Sequence, residues 1–385
     1  MTGVVMLVNE FPPLPVGGAE IQAERLSTFL ASRGWNIWVV TRHAPGLPRL
    51  EERNGFHILR PPTFGPGKLQ TITFVFFALI FLFRMRNQYQ ILHAHLAFGP
   101  AFVGVLIGHL LGKRVLVKLG GSNAIGDIHV SSKTWRGRLR LQAIKRWADV
   151  IIALTDTMRS EVLQIGIPSE RIKIMNNGID SSSYMFSQAE RNLSKSELGF
   201  DGKNVVILFV GRLDKVKSLP TVIDAMALLN EKKKLVYRFV IVGDGPERAN
   251  LESKVYELKL VEQIYFLGNQ KEVRSYLKAA DIFVLPSLTE GISNALLEAM
   301  ASGLACVATP VGGNNDVLAD GTYGVMAPVG DVQVWAEILD KLGHNVSQRE
   351  IIGNLAQKHI LNTYDFKVVG MQYEALYTDL LKKDH

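Results

Sequence analysis

The chain of 385 residues contains one cysteine, Cys306, set in an apolar run. No intrachain disulfide can form, so a disulfide-stapled secreted scaffold is excluded and a reducing cytoplasm fits. Asp-x-Asp occurs nowhere, and His, Cys, Asp and Glu do not recur at metal-ligand spacing. A metal site is therefore not expected, and a bound diphosphate has to be held by the protein's own cations. The dinucleotide fingerprint is missing too. Gly243-Asp244-Gly245-Pro246 opens a helical pattern, but Arg248 stands in the third glycine's place, which argues against a nicotinamide dehydrogenase. Long hydrophobic runs are absent. The one candidate, Ile72–Phe83, would span only about 18 Å as a helix, against a hydrocarbon core of roughly 30 Å. It is expected to pack in a core or to lie half-sunk in an interface between Lys68, Arg84 and Arg86, without crossing a bilayer. Val4–Val8 is too short and too uncharged at its flank to be a signal peptide.

Acidic residues are scarce in the first half. Residues 1–180 hold 21 Lys/Arg against 11 Asp/Glu, a net of +10, whereas residues 181–385 hold 22 against 25, a net of −3. The densest stretch runs from Lys133 to Trp147, with Arg136, Arg138, Arg140, Lys145 and Arg146 interleaved with Trp135 and no acid between. Such a helix suits anionic lipid, nucleic acid or plain solvent. Nothing else in the chain resembles a nucleic-acid module, so a membrane surface is the expected partner of this domain and nucleic acid is not.

What is present in abundance is alternation. Short β-branched runs, Val4–Val8, Asn36–Thr41, Ile91–His95, Val115–Lys118 and Val150–Leu154, are separated by helical patterns. A second series follows: Val205–Val210, Phe239–Val242, Ile264–Phe266, Ile282–Leu285 and Leu304–Ala308. The pattern implies an α/β protein of two doubly wound, Rossmann-like parallel-sheet domains facing across a cleft. The polar, turn-rich segment Asn176–Ser183 is the linker candidate, which places the domains at 1–180 and 181–364.

The second domain carries the chemistry. Asp281–Ser287 reads as a buried strand ended by proline, so Glu290 falls in the loop beyond its carboxyl end, where ligands of open parallel sheets bind. Gly291 turns the chain into a helix whose first-turn N–H groups, near Ile292, Ser293 and Asn294, favour an anion. Glu298 lies eight residues beyond Glu290. Carboxylates would repel a phosphate but accept from hydroxyl groups, and together these features point to a nucleotide sugar. Two acids alone fit a helix cap and a solvated face equally well. Arg212 and Lys217, beyond the strand Val205–Val210, supply the charge that would neutralise a diphosphate. In the first domain Gly17-Gly18 precedes an amphipathic helix and lets backbone approach a ligand. His93 and His95 alternate on one face of their strand; either is a structural histidine or, for His95 in particular, a hydrogen-bond partner of a sugar hydroxyl.

These residues, taken in order, carry a resemblance. From Gly17-Gly18-Ala19-Glu20 through Asn177-Gly178-Ile179-Asp180 and Gly211-Arg212-Leu213 to Glu290-x₇-Glu298-Ala299-Met300-Ala301, with Gly303 and Val311-Gly312-Gly313, the chain resembles the retaining nucleotide-sugar glycosyltransferases of family 4, which have the GT-B fold. The resemblance implies that Arg212 and Lys217 grip the donor diphosphate, Glu290 binds sugar hydroxyls and Glu298 the ribose. It also implies that Gly291, Ile292, Ser293 and Asn294 face the diphosphate and sugar through backbone groups, that Gly17 and Gly18 close over the donor, and that Gly268 and Asn269 border the base. The segment from about 365 to 385 would return to the first domain. One departure stands out: where many relatives have a histidine near position 119, this chain reads Val117-Lys118-Leu119-Gly120-Gly121-Ser122. Lys118, with His93, is then the acceptor-side candidate.

The expected activity is transfer of a sugar from a nucleoside diphosphate donor to a hydroxyl acceptor with retention, without a cofactor. The acceptor is expected to be lipid-linked or a polysaccharide of the cell envelope, and the protein to be cytoplasmic, in peripheral contact with the inner face of the plasma membrane. Two alternatives stay open: a nucleotide-sugar epimerase of the same architecture, and a catalytically inactive sugar-nucleotide-binding protein at the membrane.

Overall fold

The computed structural model describes residues 2–14, 17–121, 126–200, 202–232 and 236–382. Ser122 of the motifs above, and residues 383–385 of the terminal segment, lie outside them. The chain forms two compact units, Met1–Gly178 with Phe366–His385, and Ile179–Asp365. The crossing between them is tied on both sides. Gln22 brackets Gly178, its Nε2 donating to the Gly178 carbonyl and its Oε1 accepting from the Gly178 N–H, each at 2.8 Å. Within the second unit the Ile179 N–H donates to the Tyr364 carbonyl at 2.8 Å. A run that looks like a loose linker in sequence is thus pinned through its backbone.

The first unit contains β1 (Gly3–Leu7), β2 (Asn36–Val40), β3 (Leu50–Arg53), β4 (Phe56–Leu59), β5 (Ile91–His95), β6 (Arg114–Lys118), β7 (Val150–Ala153) and β8 (Ile172–Ile174). They form one sheet in the order β3-β4-β2-β1-β5-β6-β7-β8. All pairs are parallel except β3 with β4, a hairpin turned by Asn54 (φ 48°) and Gly55 (φ 80°). Positive φ at both turn residues is what a two-residue hairpin of matching twist requires, and Asn-Gly supplies it cheaply. β1, β5, β6 and β7 are largely or wholly buried, as strands covered on both faces must be. On one side helix Lys68–Arg84 packs on Gly99–Leu111, which packs on Trp135–Trp147. On the other, helix Gly18–Ser32 packs with the final helix Phe366–Lys382, whose Tyr373 and Tyr377 join the core of β1, β2 and β5.

The second unit holds β9 (Asn204–Val210), β10 (Val236–Val242), β11 (Ile264–Gly268), β12 (Ile282–Leu285), β13 (Ala305–Ala308) and β14 (Val325–Met326), all parallel, in the order β11-β10-β9-β12-β13-β14. Counted from β9 this is 3-2-1-4-5-6, the doubly wound order of nucleotide-binding sheets. The order reverses between β9 and β12. Connections leave these two neighbours toward opposite faces, so a crevice opens beyond their carboxyl ends.

Candidate active site

Two loops meet beyond that switch point. After β9, Gly211 carries Arg212 outward while Leu213 turns fully inward. The loop is braced by the one after β10: the Gly211 N–H donates to Val242 and the Leu213 N–H to Asp244, each at 3.0 Å. A Cβ on Gly243 (φ 135°) would sit 1.9 Å from the Gly211 carbonyl oxygen, so only glycine permits this approach. Asp214 then caps a single turn, Lys215–Lys217, by accepting from the Val216 N–H at 3.1 Å. After β12, the Leu288 N–H donates to the Val216 carbonyl at 2.7 Å, which locks the two loops together.

The lock delivers an ion pair. Lys217 Nζ lies 2.5 Å from Glu290 Oε1, and the Ser287 hydroxyl donates to the same oxygen at 2.6 Å. The Glu290 side chain is 9% exposed and that of Lys217 19%. Behind them the Thr309 hydroxyl donates to the Ser287 carbonyl at 2.6 Å. Gly312 (φ 51°) and Gly313 press on the loop from β13: a Cβ on either would lie 2.0 Å from the carbonyl oxygen of Glu290 or Gly291 respectively. Arg212 takes no part in the pair. Its side chain is 72% exposed, and its nearest carboxylate is Asp214 at 3.9 Å. The rim thus brings together a neutralised cation, Lys217, an open one, Arg212, and a buried carboxylate, Glu290. The Thr289 hydroxyl oxygen beside Glu290 is buried with no partner among the described residues, a donor and acceptor left for something polar.

Helix Asn294–Ala301 starts from the same loop, with Ser293 as its N-cap accepting from the Leu296 N–H at 3.4 Å. Ile292 is buried, while Ser293, Asn294 and Glu298 are half-buried. Gly268 (φ 66°) ends β11, and its carbonyl accepts from the Gly243 N–H at 2.8 Å; Asn269 next to it is exposed. Arg212, Lys217, Glu290 and the start of the Glu298 helix therefore share the switch-point rim, with Gly268 and Asn269 two strands away on the same edge.

The first-unit candidates divide into an exposed pair, Gly17 and Gly18, and the buried His93, His95 and Lys118. Gly17 and Gly18 are exposed at a helix start, but the carboxylate of Glu20 turns back on the backbone N–H groups of Gly17 and Glu20. Burial raises its pKa and those bonds pull it down. An anion at this terminus would have to displace Glu20. His93 and His95 do share a face, with ring centroids 4.4 Å apart, but the final helix covers it. His93 Nδ1 pairs with the Tyr377 hydroxyl at 2.6 Å, and His95 is 2% exposed with both ring nitrogens unpartnered among the described residues. Burial pushes the His93 imidazole down to about 3, and Lys118 adds to the effect. His95 is also held well below its usual range, by burial first and then by His93 and Lys118.

Lys118 is itself buried, its Nζ 5.4 Å from the centre of the Tyr373 ring, and burial alone brings its ammonium down to about 7. Neither histidine nor Lys118 is exposed: His95, expected as a sugar contact, and His93 and Lys118, expected as acceptor contacts, are all buried in this unit. The structure adds Asp127, which sequence reasoning passed over. Its Oδ2 accepts from the Gly120 N–H at 2.6 Å, and burial raises its carboxyl to about 6. Nothing in its sequence surroundings marks it.

Comparison with known proteins supplies the family. Residues 16–183 match Glycosyltransferase Family 4, and residues 190–359 match Glycosyl transferases group 1. The N-acetyl-alpha-D-glucosaminyl L-malate synthase of Bacillus anthracis is 26% identical, over 96% of this chain and 96% of its own. The UDP-Gal:alpha-D-GlcNAc-diphosphoundecaprenol alpha-1,3-galactosyltransferase of Escherichia coli is 24% identical, over 79% of each. Anabaena HepE, solved in complex with UDP, is similar in structure with a TM-score of 0.80 at 19% identity, over 98% of this chain and 100% of that one. With its two halves matched in order and its two sheets wound as described, the chain belongs to the group 1 glycosyltransferases of family 4 and has their GT-B fold of two Rossmann-like domains.

Proposed function

We propose that the chain transfers a sugar from a nucleoside diphosphate donor to a hydroxyl acceptor, with retention at the anomeric carbon, and that the acceptor is lipid-linked in cell-envelope or exopolysaccharide synthesis. The observation that carries this reading is the Lys217–Glu290 pair with Arg212 beside it, set beyond the switch point of a 3-2-1-4-5-6 sheet. Arg212 meets the diphosphate first, since its guanidinium is open and suited to two phosphate oxygens at once. Lys217 then exchanges Glu290 for phosphate, and Glu290, released from its cation, accepts from hydroxyls of the sugar. Binding is an exchange of partners, so the buried carboxylate is not left uncompensated.

As the bond between the anomeric carbon and the phosphate oxygen breaks, Arg212, Lys217 and the backbone N–H groups from Gly291 to Asn294 stabilise the charge that develops on the leaving diphosphate. The acceptor hydroxyl attacks from the same face and its proton passes to the departing phosphate oxygen, so no separate base is needed and configuration is kept. The UDP held by HepE and the diphosphoundecaprenol acceptor named for the E. coli relative support the donor and acceptor classes. Among the described residues no helix is long and apolar enough to cross a membrane. A lipid-linked acceptor would therefore be met at a surface.

Purified protein incubated with a panel of nucleoside diphosphate sugars, with and without polyprenyl-diphosphate saccharides, tests the proposal. Nucleoside diphosphate release that depends on acceptor is expected. Isomerised donor without release would mark an epimerase, and binding without turnover an inactive carrier; either overturns the proposal.

A further inference from the structure

We infer that the helical face of the first unit built by Lys68–Arg84 and Trp135–Trp147 docks on an anionic lipid bilayer. The inference deepens the proposed transfer, resting on it only for the substrate that the membrane would present.

Helix Lys68–Arg84 is apolar on both sides. Phe74, Ala78, Leu82 and Met85, spaced by four, four and three, are buried against the unit. Leu69, Ile72, Phe76 and Phe83 fall on the opposite stripe at a period of 3.6 and are exposed. No charged residue lies between Leu69 and Phe83, whereas a helix facing water carries charge on that stripe. Phe64, also exposed, widens the patch; its ring meets Phe77 at 5.8 Å, and its backbone N–H donates to the Thr73 hydroxyl at 3.0 Å.

The second helix supplies the charge. Trp135 and Leu139, one turn apart, are exposed, and Arg136 lies 5.2 Å from the Trp135 ring. Arg138, Lys145 and Arg146 are exposed on a helix that has no acidic residue. Arg84 and Arg86 close the far end of the apolar stripe, with Arg86 4.8 Å from the Phe83 ring. Arginines resting on aromatic rings beside bare hydrocarbon match a headgroup layer over an acyl layer.

The two patches belong to one layer, because Gly99–Leu111 packs against both helices. Each helix leads into a parallel strand, Lys68–Arg84 into β5 and Trp135–Trp147 into β7, so its end lies at the amino edge of the sheet and its start toward the carboxyl edge. Leu69 and Ile72 on one helix, and Trp135 and Leu139 on the other, accordingly lie toward the carboxyl rim of the sheet. That rim is where a substrate of this unit would be met. A second copy of the chain is a poorer occupant. A two-fold contact would press an acid-free basic helix against a domain whose first 180 residues carry a net charge of +10.

Flotation of the full chain with zwitterionic vesicles and with vesicles rich in phosphatidylglycerol is the test, run at low salt and at about 0.5 M salt, where exposed charges are screened. The double variants Ile72→Ser/Phe76→Ser and Trp135→Ser/Leu139→Ser alter side chains that face solvent, and circular dichroism checks that each still folds. The chain is expected to float with the anionic vesicles at low salt, to be released by high salt, and to lose at least tenfold of its partition in either variant. Transfer to a water-soluble acceptor, measured in parallel, should be unchanged in both. Failure to float at low salt, or variants that float like the parent, would overturn the docking while leaving the transferase reading intact. A dimer in sedimentation that the same substitutions dissolve would also overturn it, by assigning the face to a second copy. Floating protein that never turns over a donor would instead sink the reading of the active site.

Discussion

Replacing Lys217 by Met should separate the two cations of the site by their effect on stability. Glu290 is nine-tenths buried and Lys217 is its only cation within 4 Å among the described residues. Removing one member of a buried pair costs about 3–5 kcal/mol when the site is dry. Lys217 is one-fifth exposed and the Ser287 hydroxyl stays on Glu290 at 2.6 Å, so about 2–3 kcal/mol is expected. Arg212→Gln, at a side chain 72% exposed, should change stability by no more than about 0.5 kcal/mol. Both substitutions remove charge from the leaving diphosphate, and each should lower kcat by about 10²–10³-fold. Urea unfolding followed by fluorescence reads the first quantity and nucleoside diphosphate release the second. Adding Glu290→Gln to Lys217→Met should recover most of the lost stability and none of the activity, since the carboxylate no longer lacks a partner. The exchange mechanism is refuted if Arg212→Gln turns over like the parent, or if Lys217→Met neither destabilises nor slows the protein.

Lys118 is held down to about 7 by burial, so between about 7 and its unfolded value near 10.5 the unfolded chain binds more protons and stability rises with pH. Lys118→Met should remove that rise and stabilise the protein by a few kcal/mol, about, at neutral pH, as seen in urea midpoints at the two ends of the window. Asp127 runs the other way: with its carboxyl raised to about 6, the folded state binds more protons, and its contribution lowers stability as pH climbs from about 4 through 6. Asp127→Asn keeps an acceptor for the Gly120 N–H and should flatten the difference between unfolding curves taken across that range. Gly312→Ala puts a methyl 2.0 Å from the Glu290 carbonyl oxygen; displacement of the loop should cost about 2–4 kcal/mol and about 10² in kcat. Gly321→Ala, where φ is 95° but nothing lies within 4 Å, should cost only about 1 kcal/mol and leave turnover alone.

The second domain was the more legible of the two because its site is local. Glu290 lies five residues past β12, and Arg212 and Lys217 lie within seven residues of β9, so strand pattern plus loop chemistry was enough to place them on one rim. What spacing could not say was that Lys217 and Glu290 hold each other, since that depends on a backbone bond between Leu288 and Val216. In the first domain the alternation of His93 and His95 was read correctly, yet their cover is Tyr377, 284 residues away from His93 in sequence. No local pattern reports such a partner. Asp127 was missed for a related reason: its role is set by the backbone of Gly120, and backbone leaves no mark on sequence. The hairpin of β3 and β4 was missed although Asn54-Gly55 is the strongest short signal for one; the charged run Glu51-Glu52-Arg53 hid an edge strand behind polar composition. β8 and β14, of three and two residues, are too short for any period to show.

A structure of the protein with a bound nucleoside diphosphate sugar tests the central claim most directly. The account predicts diphosphate oxygens within about 3 Å of Lys217 Nζ and of the Arg212 guanidinium, with Glu290 turned from Lys217 to hydroxyls of the sugar. A donor seated elsewhere, or a Lys217–Glu290 pair left intact beside it, would contradict the account.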